Sequence, residues 1–182
     1  MRIVLIGYRC TGKTSVGKRI AKRLGIPFYD TDELIQSDAG KTIREMVDEE
    51  GWDAFRAQER AIIKKLPSSA DAVIAAGGGA IMNAENREVL RRNGFCVWLT
   101  ADVKTIVERM RDDRTSDAQR PPLSGQSLEQ ETAEVFEARK PIYQALADCT
   151  IDTSGKGIDA IADEILSSLA RCQRDEQKSS AT

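Results

Sequence analysis

The segment Gly7–Thr14 reads GYRCTGKT and carries the residue types from which proteins build phosphate sites. It matches the pattern G-x-x-x-x-G-K-[ST] in full. Gly12 allows a backbone turn that other residues resist, so successive amide N–H groups can point at phosphate oxygens. The amino end of the helix expected after it adds partial positive charge. The segment therefore predicts a site for the phosphates of a nucleotide.

Two side chains of this loop indicate how the phosphates would be held. Lys13 is expected to reach the β- and γ-phosphates, and the Thr14 hydroxyl is expected to coordinate Mg²⁺, a hard cation that takes oxygen ligands. A tight strand-to-helix connection without a ligand is the alternative, but both the motif and its flanking pattern are present. The residues predicted to surround the nucleotide phosphates are Cys10, Thr11, Gly12, Lys13, Thr14 and Ser15.

Cys10 occupies a position that the motif leaves free. Its backbone amide can donate to phosphate if its φ angle is ordinary, whereas a positive φ is costly for any residue with a side chain. The thiol allows two interpretations, a redox-sensitive group beside the phosphates or a small tolerated side chain. The sequence leaves both open.

Two further bends carry candidate functional residues. The acidic segment DTDE at 30–33 follows a short apolar stretch, and three glycines follow another at 77–79. Asp30 and Asp32 project to the same side of an extended chain, where carboxylates can accept from hydroxyls. The alternative is a solvated turn in which an Asp caps the helix that follows.

Apolar runs and helical spacing predict the elements that position these bends. Short apolar runs predict strands at 2–6, 27–29, 71–76, 95–99 and 149–151. Helical patterns fall at 13–24, 33–37, 42–50, 53–65, 85–92, 103–111, 127–147 (with a break or kink at Pro141) and 157–170. Strands that alternate with helices predict an α/β fold, a three-layer α/β/α sandwich around a parallel sheet of about five strands. Ligands bind outside the carboxyl ends of such strands, where all three bends fall.

The remaining segments indicate one domain with a mobile lid. Residues 112–125 (DDRTSDAQRPPLSG) are polar and contain two prolines, which predicts a loop or lid. Residues 1–172 are assigned to the domain, because 182 residues suit a single core. The polar segment 173–182 is predicted to be a frayed, disordered tail.

The composition excludes several classes of protein. The chain contains no histidine, so Ser–His and Cys–His nucleophiles and histidine metal sites are absent, and an acid or base must be a carboxylate, a lysine or a less usual group. A net charge of −2 argues against nucleic-acid binding, and no apolar run approaches the roughly 18 residues of a membrane helix. Four scattered cysteines without a CxxC pair predict neither disulfides nor zinc, so the cytoplasm is the expected compartment.

Taken in order, the motifs resemble those of shikimate kinases, which belong to the nucleoside-monophosphate-kinase-like group of P-loop proteins. The resemblance extends from about residue 2 to about residue 170. It rests on these segments: GYRCTGKT (7–14), DTD (30–32), GK-I (40–43), FR--E (55–59), GGG (77–79), RPPL (120–123) and ARKPIY (138–143). It implies ATP-dependent phosphorylation of the 3-hydroxyl of shikimate to shikimate 3-phosphate, a step of aromatic amino-acid (chorismate) biosynthesis.

The resemblance also implies roles in substrate binding. Asp32 would hold ring hydroxyls and could serve as the base, and Asp30 would lie near Mg²⁺, through water. Arg56 and Arg139 would bind the carboxylate, since guanidinium groups form paired hydrogen bonds with carboxylates. The backbone of Gly77, Gly78 and Gly79 would approach the substrate, with Gly78 as the direct contact. The helical region at about 33–62 would carry much of this site.

Other residues would act on the nucleotide. Arg120, in the lid, would stabilise the transferring phosphate, and Arg109 would pack on adenine or lie on the helix surface. The backbone of Asp152–Gly155 would also contact adenine. Glu59 follows Arg56 by three residues, so it shares a helix face with that side chain and could hold it in position.

Three residues depart from the family pattern. Cys10 stands where the family usually has Gly, Trp52 where Glu is common, and the lid segment RPPL has an extra proline.

Two alternative functions remain, a related small-molecule kinase such as a gluconate kinase and a non-catalytic nucleotide-binding module. A monomer is expected, although the sequence does not determine oligomeric state, kinetic constants, binding order or the identity of the base.

Overall fold

A single parallel sheet organises the computed structural model, which describes residues 1–67, 70–113 and 127–179. The five strands are β1 (Arg2–Ile6), β2 (Phe28–Asp30), β3 (Ala72–Ala75), β4 (Gly94–Thr100) and β5 (Cys149–Asp152). Their order across the sheet is β2-β3-β1-β4-β5, and every pair is parallel. The five-stranded parallel sheet predicted from the sequence is confirmed.

Helices connect successive strands, as parallel pairing requires. The described helices are α1 (Lys13–Leu24), α2 (Thr31–Ala39), α3 (Ile43–Lys65), α4 (Ala84–Arg91), α5 (Val103–Asp112), α6 (Leu128–Leu146) and α7 (Ile158–Ser179). A short 3₁₀ helix, Ala80–Met82, precedes α4. None of the helices in the described ranges has an apolar stretch long enough to cross a membrane.

Alternating side chains of the strands separate two cores, one on each face of the sheet. Val4 and Ile6 of β1 point into a cluster with residues of α3 to α6, whereas Ile3 and Leu5 point into a cluster with α1 and α7. All four side chains are fully buried. The predicted three-layer sandwich is thus confirmed, and β1 lies at its centre.

The strand order brings the three candidate bends together. β1 pairs with β3, and β3 pairs with β2, in a register that sets Asp30 beside Ala75 and Leu5 beside Ala75. The chain therefore leaves these three strands at one edge of the sheet, where the loop 7–12, the acidic turn and the three glycines lie side by side. The convergence expected at the carboxyl ends is confirmed.

Two helices differ from the sequence prediction at a glycine and a proline. Gly51 has φ +82° and interrupts α3, so the predicted helices 42–50 and 53–65 form the two arms of one element. At Pro141, where a break or kink is predicted, α6 is not broken and continues through the proline. Proline removes one backbone donor, but Phe136 and Tyr143 are buried on either side and anchor the helix in the core.

The end of one predicted segment differs from the structure, and another segment lies mostly outside the described residues. Helix α7 extends to Ser179, so the segment predicted as a frayed tail from residue 173 continues the helix for seven further residues. Gln173 and Arg174, at the start of this extension, are good helix formers. The predicted lid lies outside the described residues from residue 114 onward, as does Arg120.

Candidate functional site

The loop between β1 and α1 is held by its own hydrogen bonds. The Lys13 Nζ donates to the carbonyl oxygens of Gly7 (3.0 Å) and Tyr8 (2.7 Å), and Thr11 Oγ1 donates to the same Tyr8 oxygen (2.8 Å). Lys13 thus spans the loop and places its charge at the centre of the curve. This arrangement suits a loop that encloses phosphate oxygens.

Two glycines of this loop have backbone conformations that side chains resist. Gly7 has φ +146° and Gly12 has φ +92°. A Cβ atom on Gly7 would lie 2.2 Å from the carbonyl oxygen of Leu99 in β4. The first glycine of the motif is therefore required by close contact with a neighbouring strand, as well as by its conformation.

The φ angle of Cys10 is not the ordinary one under which its backbone amide was expected to donate to phosphate. Its φ is +58°, one of two positive values at non-glycine residues in the described part of the chain. Such a conformation costs a residue with a side chain roughly 1–2 kcal/mol. The residue is half-buried against the cluster on the α3 to α6 face of the sheet. The position where the family usually has glycine is thus one where glycine would be unstrained.

Arg109 connects the loop to the segment after β5. Its Nη2 donates to the Thr153 carbonyl oxygen (2.8 Å), and its Nη1 donates to Thr153 Oγ1 (2.9 Å) and to the Cys10 carbonyl oxygen (3.4 Å). The guanidinium of this half-buried residue is thus held between two loops. It lies at the side of the phosphate loop where the segment 152–155 also falls.

Asp30 serves the phosphate loop and the adjacent helix at once. Its Oδ2 accepts from Thr14 Oγ1 (2.6 Å), while its Oδ1 accepts from the backbone N–H groups of Asp32 (3.0 Å) and Glu33 (3.4 Å). The helix-cap alternative is thus correct for this residue, yet one oxygen still faces the loop. A carboxylate and a hydroxyl in contact suit a cation that takes most of its ligands from water and phosphate.

No protein cage for a metal exists in the part of the chain that the structure describes. In those residues no three His, Cys, Asp or Glu side chains lie close enough together to hold a metal ion. Magnesium bound beside nucleotide phosphates needs only one or two protein ligands. Thr14 and Asp30 fit that requirement, because they lie together at the amino end of α1.

A pocket lies next to the phosphate loop, and its lining comes from distant parts of the chain. The lining residues are Tyr8, Arg9, Asp32, Ile43, Trp52, Phe55, Arg56, Glu59, Gly77, Gly78, Gly79 and Arg139. Every residue that the sequence assigned to the substrate is among them. The structure therefore brings the acidic turn, α3, the three glycines and α6 around one cavity.

One face of α3 supplies the aromatic and charged wall of the pocket. Arg56 Nη1 donates to both carboxylate oxygens of Glu59, each at 2.8 Å. The guanidinium also lies 5.0 Å from the ring centroid of Phe55 and 5.4 Å from that of Trp52. Three neighbours on one helix face thus fix the orientation of Arg56, as the spacing of Arg56 and Glu59 indicated.

Glu59 is an ionisable group in an apolar setting. Only 1% of the residue is exposed. Burial raises the pKa of its carboxyl above the ordinary glutamate value, and the charges of Arg56, Arg139 and Arg60 oppose that rise. The ion pair with Arg56 is what compensates for burying the negative charge.

The three glycines leave room for the charged side chains of the pocket. A Cβ atom on Gly77 would lie 2.6 Å from Asp32 Oδ1, and one on Gly79 would lie 2.4 Å from Arg56 Nη2. The Gly77 amide donates to Thr31 Oγ1 (2.8 Å), so this N–H is already used within the protein. These glycines thus make space for side chains, which the sequence analysis did not anticipate.

Arg139 reaches the pocket from α6. Its Nη1 donates to the Gly78 carbonyl oxygen (3.0 Å), which also accepts from the Tyr143 hydroxyl (2.5 Å). Its guanidinium lies 5.9 Å from the centroid of the Tyr8 ring. Two arginines from different helices, Arg56 and Arg139, therefore face one cavity, as an anionic group of a ligand requires.

Sequence reasoning missed several lining residues, notably Tyr8, Arg9 and Trp52. Tyr8 and Arg9 occupy free positions of the phosphate-loop motif, so nothing in the pattern distinguishes them. Trp52 precedes Arg56 by four residues, and that helical spacing was the signal that could have placed it on the same face. Trp52 thus lines the pocket as well as packing locally on α3.

Comparisons with known proteins agree on one family. A family model described as shikimate kinase matches residues 9–170. A shikimate kinase of Syntrophus aciditrophicus (strain SB) is 48% identical, with 90% of this chain and 88% of that protein covered. A solved structure, shikimate kinase from Acinetobacter baumannii in complex with shikimate, is 34% identical with a TM-score of 0.87, and 93% of each chain is covered.

A gluconokinase from Sinorhizobium meliloti 1021 is also similar in structure. Its TM-score is 0.61, 98% of this chain and 97% of that chain are covered, and the sequences are 23% identical. At that level of identity the likeness concerns the fold alone.

Proposed function

This chain belongs to the shikimate kinase family, and we propose that it transfers the γ-phosphoryl group of ATP to the 3-hydroxyl of shikimate. The product would be shikimate 3-phosphate, within the route to aromatic amino acids. One observation carries the proposal. A pocket beside the phosphate loop holds Asp32, Arg56 and Arg139 together, although they come from three separate elements.

The pocket suits a small ring with one carboxylate and several hydroxyls. Arg56 and Arg139 provide guanidinium donors for the carboxylate, and Asp32 provides an acceptor for hydroxyls. Glu59 holds the guanidinium of Arg56 at the wall of the pocket. A ring bound in this way would present a hydroxyl toward the phosphate loop, because that loop forms the adjoining wall.

The nucleotide would lie along the loop that Lys13 spans. We assign the β- and γ-phosphates to the loop amides and Lys13, and Mg²⁺ to Thr14 and, through water, Asp30. The ion would offset the negative charge of the phosphates during transfer. Arg109 would pack on the adenine base, since hydrogen bonds to Cys10 and Thr153 already hold its guanidinium beside the phosphate loop. Arg120, from the proposed lid, would approach the phosphates on closure.

The proposed reaction is an in-line displacement at phosphorus. The 3-hydroxyl oxygen of the substrate forms a bond to the γ-phosphorus, and the bond between that phosphorus and the β–γ bridging oxygen breaks. ADP leaves with the electron pair of that bond, and the hydroxyl proton passes to Asp32 or to solvent. Because the transition state is loose, most catalysis comes from positioning and from positive charge.

We also propose that the enzyme acts as a monomer in the cytoplasm. The four cysteines are unpaired, as a reducing compartment would keep them. Light scattering on the purified protein at working concentration would reveal a dimer if the first part of this proposal is wrong.

The central experiment measures ADP release with shikimate and, separately, with gluconate, which tests the rival small-molecule kinase. We expect turnover with shikimate alone, and a loss of about 100-fold in kcat/KM for Arg139→Ala, because a charged substrate group loses its partner. Arg19→Gln is the control, since Arg19 is exposed on α1. Turnover with gluconate would favour the rival, and ATP binding without turnover on either acid would favour a non-catalytic module.

A further inference from the structure

Arg9 is the charged side chain that the phosphate loop and the substrate pocket share. Among the described residues of the loop, it and Tyr8 line the pocket, and only Arg9 is charged. Arg56 and Arg139 reach the same pocket from helices α3 and α6. We infer that Arg9 is a third arginine of the active site, which binds the phosphoryl group while it is transferred and in the product.

The surroundings of Arg9 leave its guanidinium incompletely paired. Its Nη2 donates to Glu131 Oε1 at 3.4 Å, near the upper limit for a hydrogen bond. Its Nε is buried and has no hydrogen-bond partner among the described residues. Only 11% of the side chain is exposed, so water does little to compensate. A buried guanidinium with spare donors, at the wall of a pocket, is suited to bind an anion.

Arg9 lies where the phosphate loop meets the pocket. A Cβ atom on Gly78 would lie 3.3 Å from the backbone nitrogen of Arg9, so the loop packs directly on the glycines of the pocket. Its guanidinium lies 5.9 Å from the Tyr8 ring centroid, as does that of Arg139. The transferred group must cross from the loop to the pocket, and this is the boundary that Arg9 occupies.

Because of the charge of the product, Arg9 would stabilise the product more than the substrate. Phosphorylation adds close to two negative charges to a substrate that carries one. A cation that faces the new group stabilises the transition state and product without strengthening the binding of unphosphorylated substrate. Glu131, itself only 3% exposed, would hold the guanidinium in place when no phosphoryl group is present.

This inference rests on the proposed function, so its test uses substrate and product of that reaction. Calorimetric titration in the presence of ADP would compare shikimate with shikimate 3-phosphate for wild type, Arg9→Gln, Arg9→Lys and the exposed control Arg19→Gln. For Arg9→Gln we expect product affinity to fall about tenfold or more and shikimate affinity to stay within about threefold. We expect kcat to fall by about 100-fold with KM for shikimate little changed.

Comparison with the exposed control separates a direct contact from a structural one. If Arg9 contacts the phosphoryl group, product binding falls in Arg9→Gln and stays close to wild type in Arg19→Gln. Equal losses in both variants, or equal losses of substrate and product affinity in Arg9→Gln, would overturn the inference. Arg9→Lys keeps the charge, and we expect it to retain part of the product affinity, with a melting temperature like that of wild type. Absence of phosphoryl transfer in wild type would instead refute the proposed function.

Discussion

The phosphate loop and the substrate pocket adjoin each other, but they are built by opposite means. The loop comes from consecutive residues, and Lys13 and Thr11 close it through bonds to its own carbonyl oxygens. The pocket takes Arg9 from the loop and its other charged side chains from α2, α3 and α6, so its lining spans residues 8 to 139 of the sequence. The loop is thus mainly a backbone structure, whereas the pocket is mainly a side-chain structure.

The phosphate loop and the substrate pocket also depend on the rest of the fold in different ways. Backbone geometry in the loop depends on contact with the sheet, since Gly7 lies against Leu99 of β4. Charge placement in the pocket depends on neighbours, since Glu59 and two aromatic rings hold Arg56. Changes in the loop should therefore affect stability first, and changes in the pocket should affect substrate binding first.

The largest effect should follow from adding a methyl group at Gly7. Gly7→Ala would place a Cβ atom 2.2 Å from the Leu99 carbonyl oxygen at φ +146°. We expect the free energy of unfolding to fall by about 3 kcal/mol or more, because neither backbone can yield cheaply. Urea denaturation of wild type and variant measures this change.

Gly79→Ala is the matched change in the pocket. Its Cβ atom would meet the end of the Arg56 side chain, 2.4 Å from Nη2, which can move. We expect a loss of stability below about 1 kcal/mol and a rise of about tenfold in KM for shikimate. If Gly79→Ala destabilised the protein as much as Gly7→Ala, the contrast between the two halves would not hold.

The second prediction concerns Glu59, which we expect to act through Arg56. Glu59→Gln removes one charge from the ion pair and loosens the guanidinium, so KM for shikimate should rise about tenfold. Lys18→Gln on α1 is an exposed control that should leave KM unchanged, since its ion pair with Glu33 is half-exposed. Unchanged KM in Glu59→Gln would contradict the positioning role.

The raised pKa of Glu59 adds a pH dependence whose sign differs between binding and stability. The charged form holds Arg56, so in wild type KM for shikimate should increase as pH falls through the raised pKa. The protonated form is favoured in the fold, so the contribution of Glu59 to stability is greatest below the ordinary glutamate pKa and decreases as pH rises through the raised one. In Glu59→Gln the high KM should stay flat over the same range.

The smallest predicted effect concerns the strained residue of the loop. Cys10→Gly would relieve the positive φ of +58°, a cost of roughly 1–2 kcal/mol that added chain entropy of roughly 0.4–1 kcal/mol partly offsets. We expect a net gain in stability of about 1 kcal/mol or less, measured as a higher melting temperature, with turnover retained. Cys10→Ala keeps the strain and should show no such gain. A lower melting temperature for Cys10→Gly would show that the thiol itself stabilises the loop.

Much of the fold could be predicted from the sequence, because periodicity is a local property. Residues 2–6 and 13–24 have the bounds that their patterns indicated. Local preference left a break or a kink open at Pro141. Pro141 lacks a backbone donor, yet helix α6 continues through it because buried neighbours hold both sides. Such compensation depends on packing, which a single segment does not reveal.

The sequence by itself determined the phosphate loop, since eight consecutive residues carry the glycines, the lysine and the hydroxyl that it needs. Only the tertiary structure decided that Arg9 and Trp52 face the same pocket as Arg139, and that the glycines at 77–79 make room for side chains. The physical reason is distance along the chain. Hydrogen bonds within a turn follow from neighbouring residues, whereas a cluster of charges from separate helices exists only after the sheet has set those helices in place.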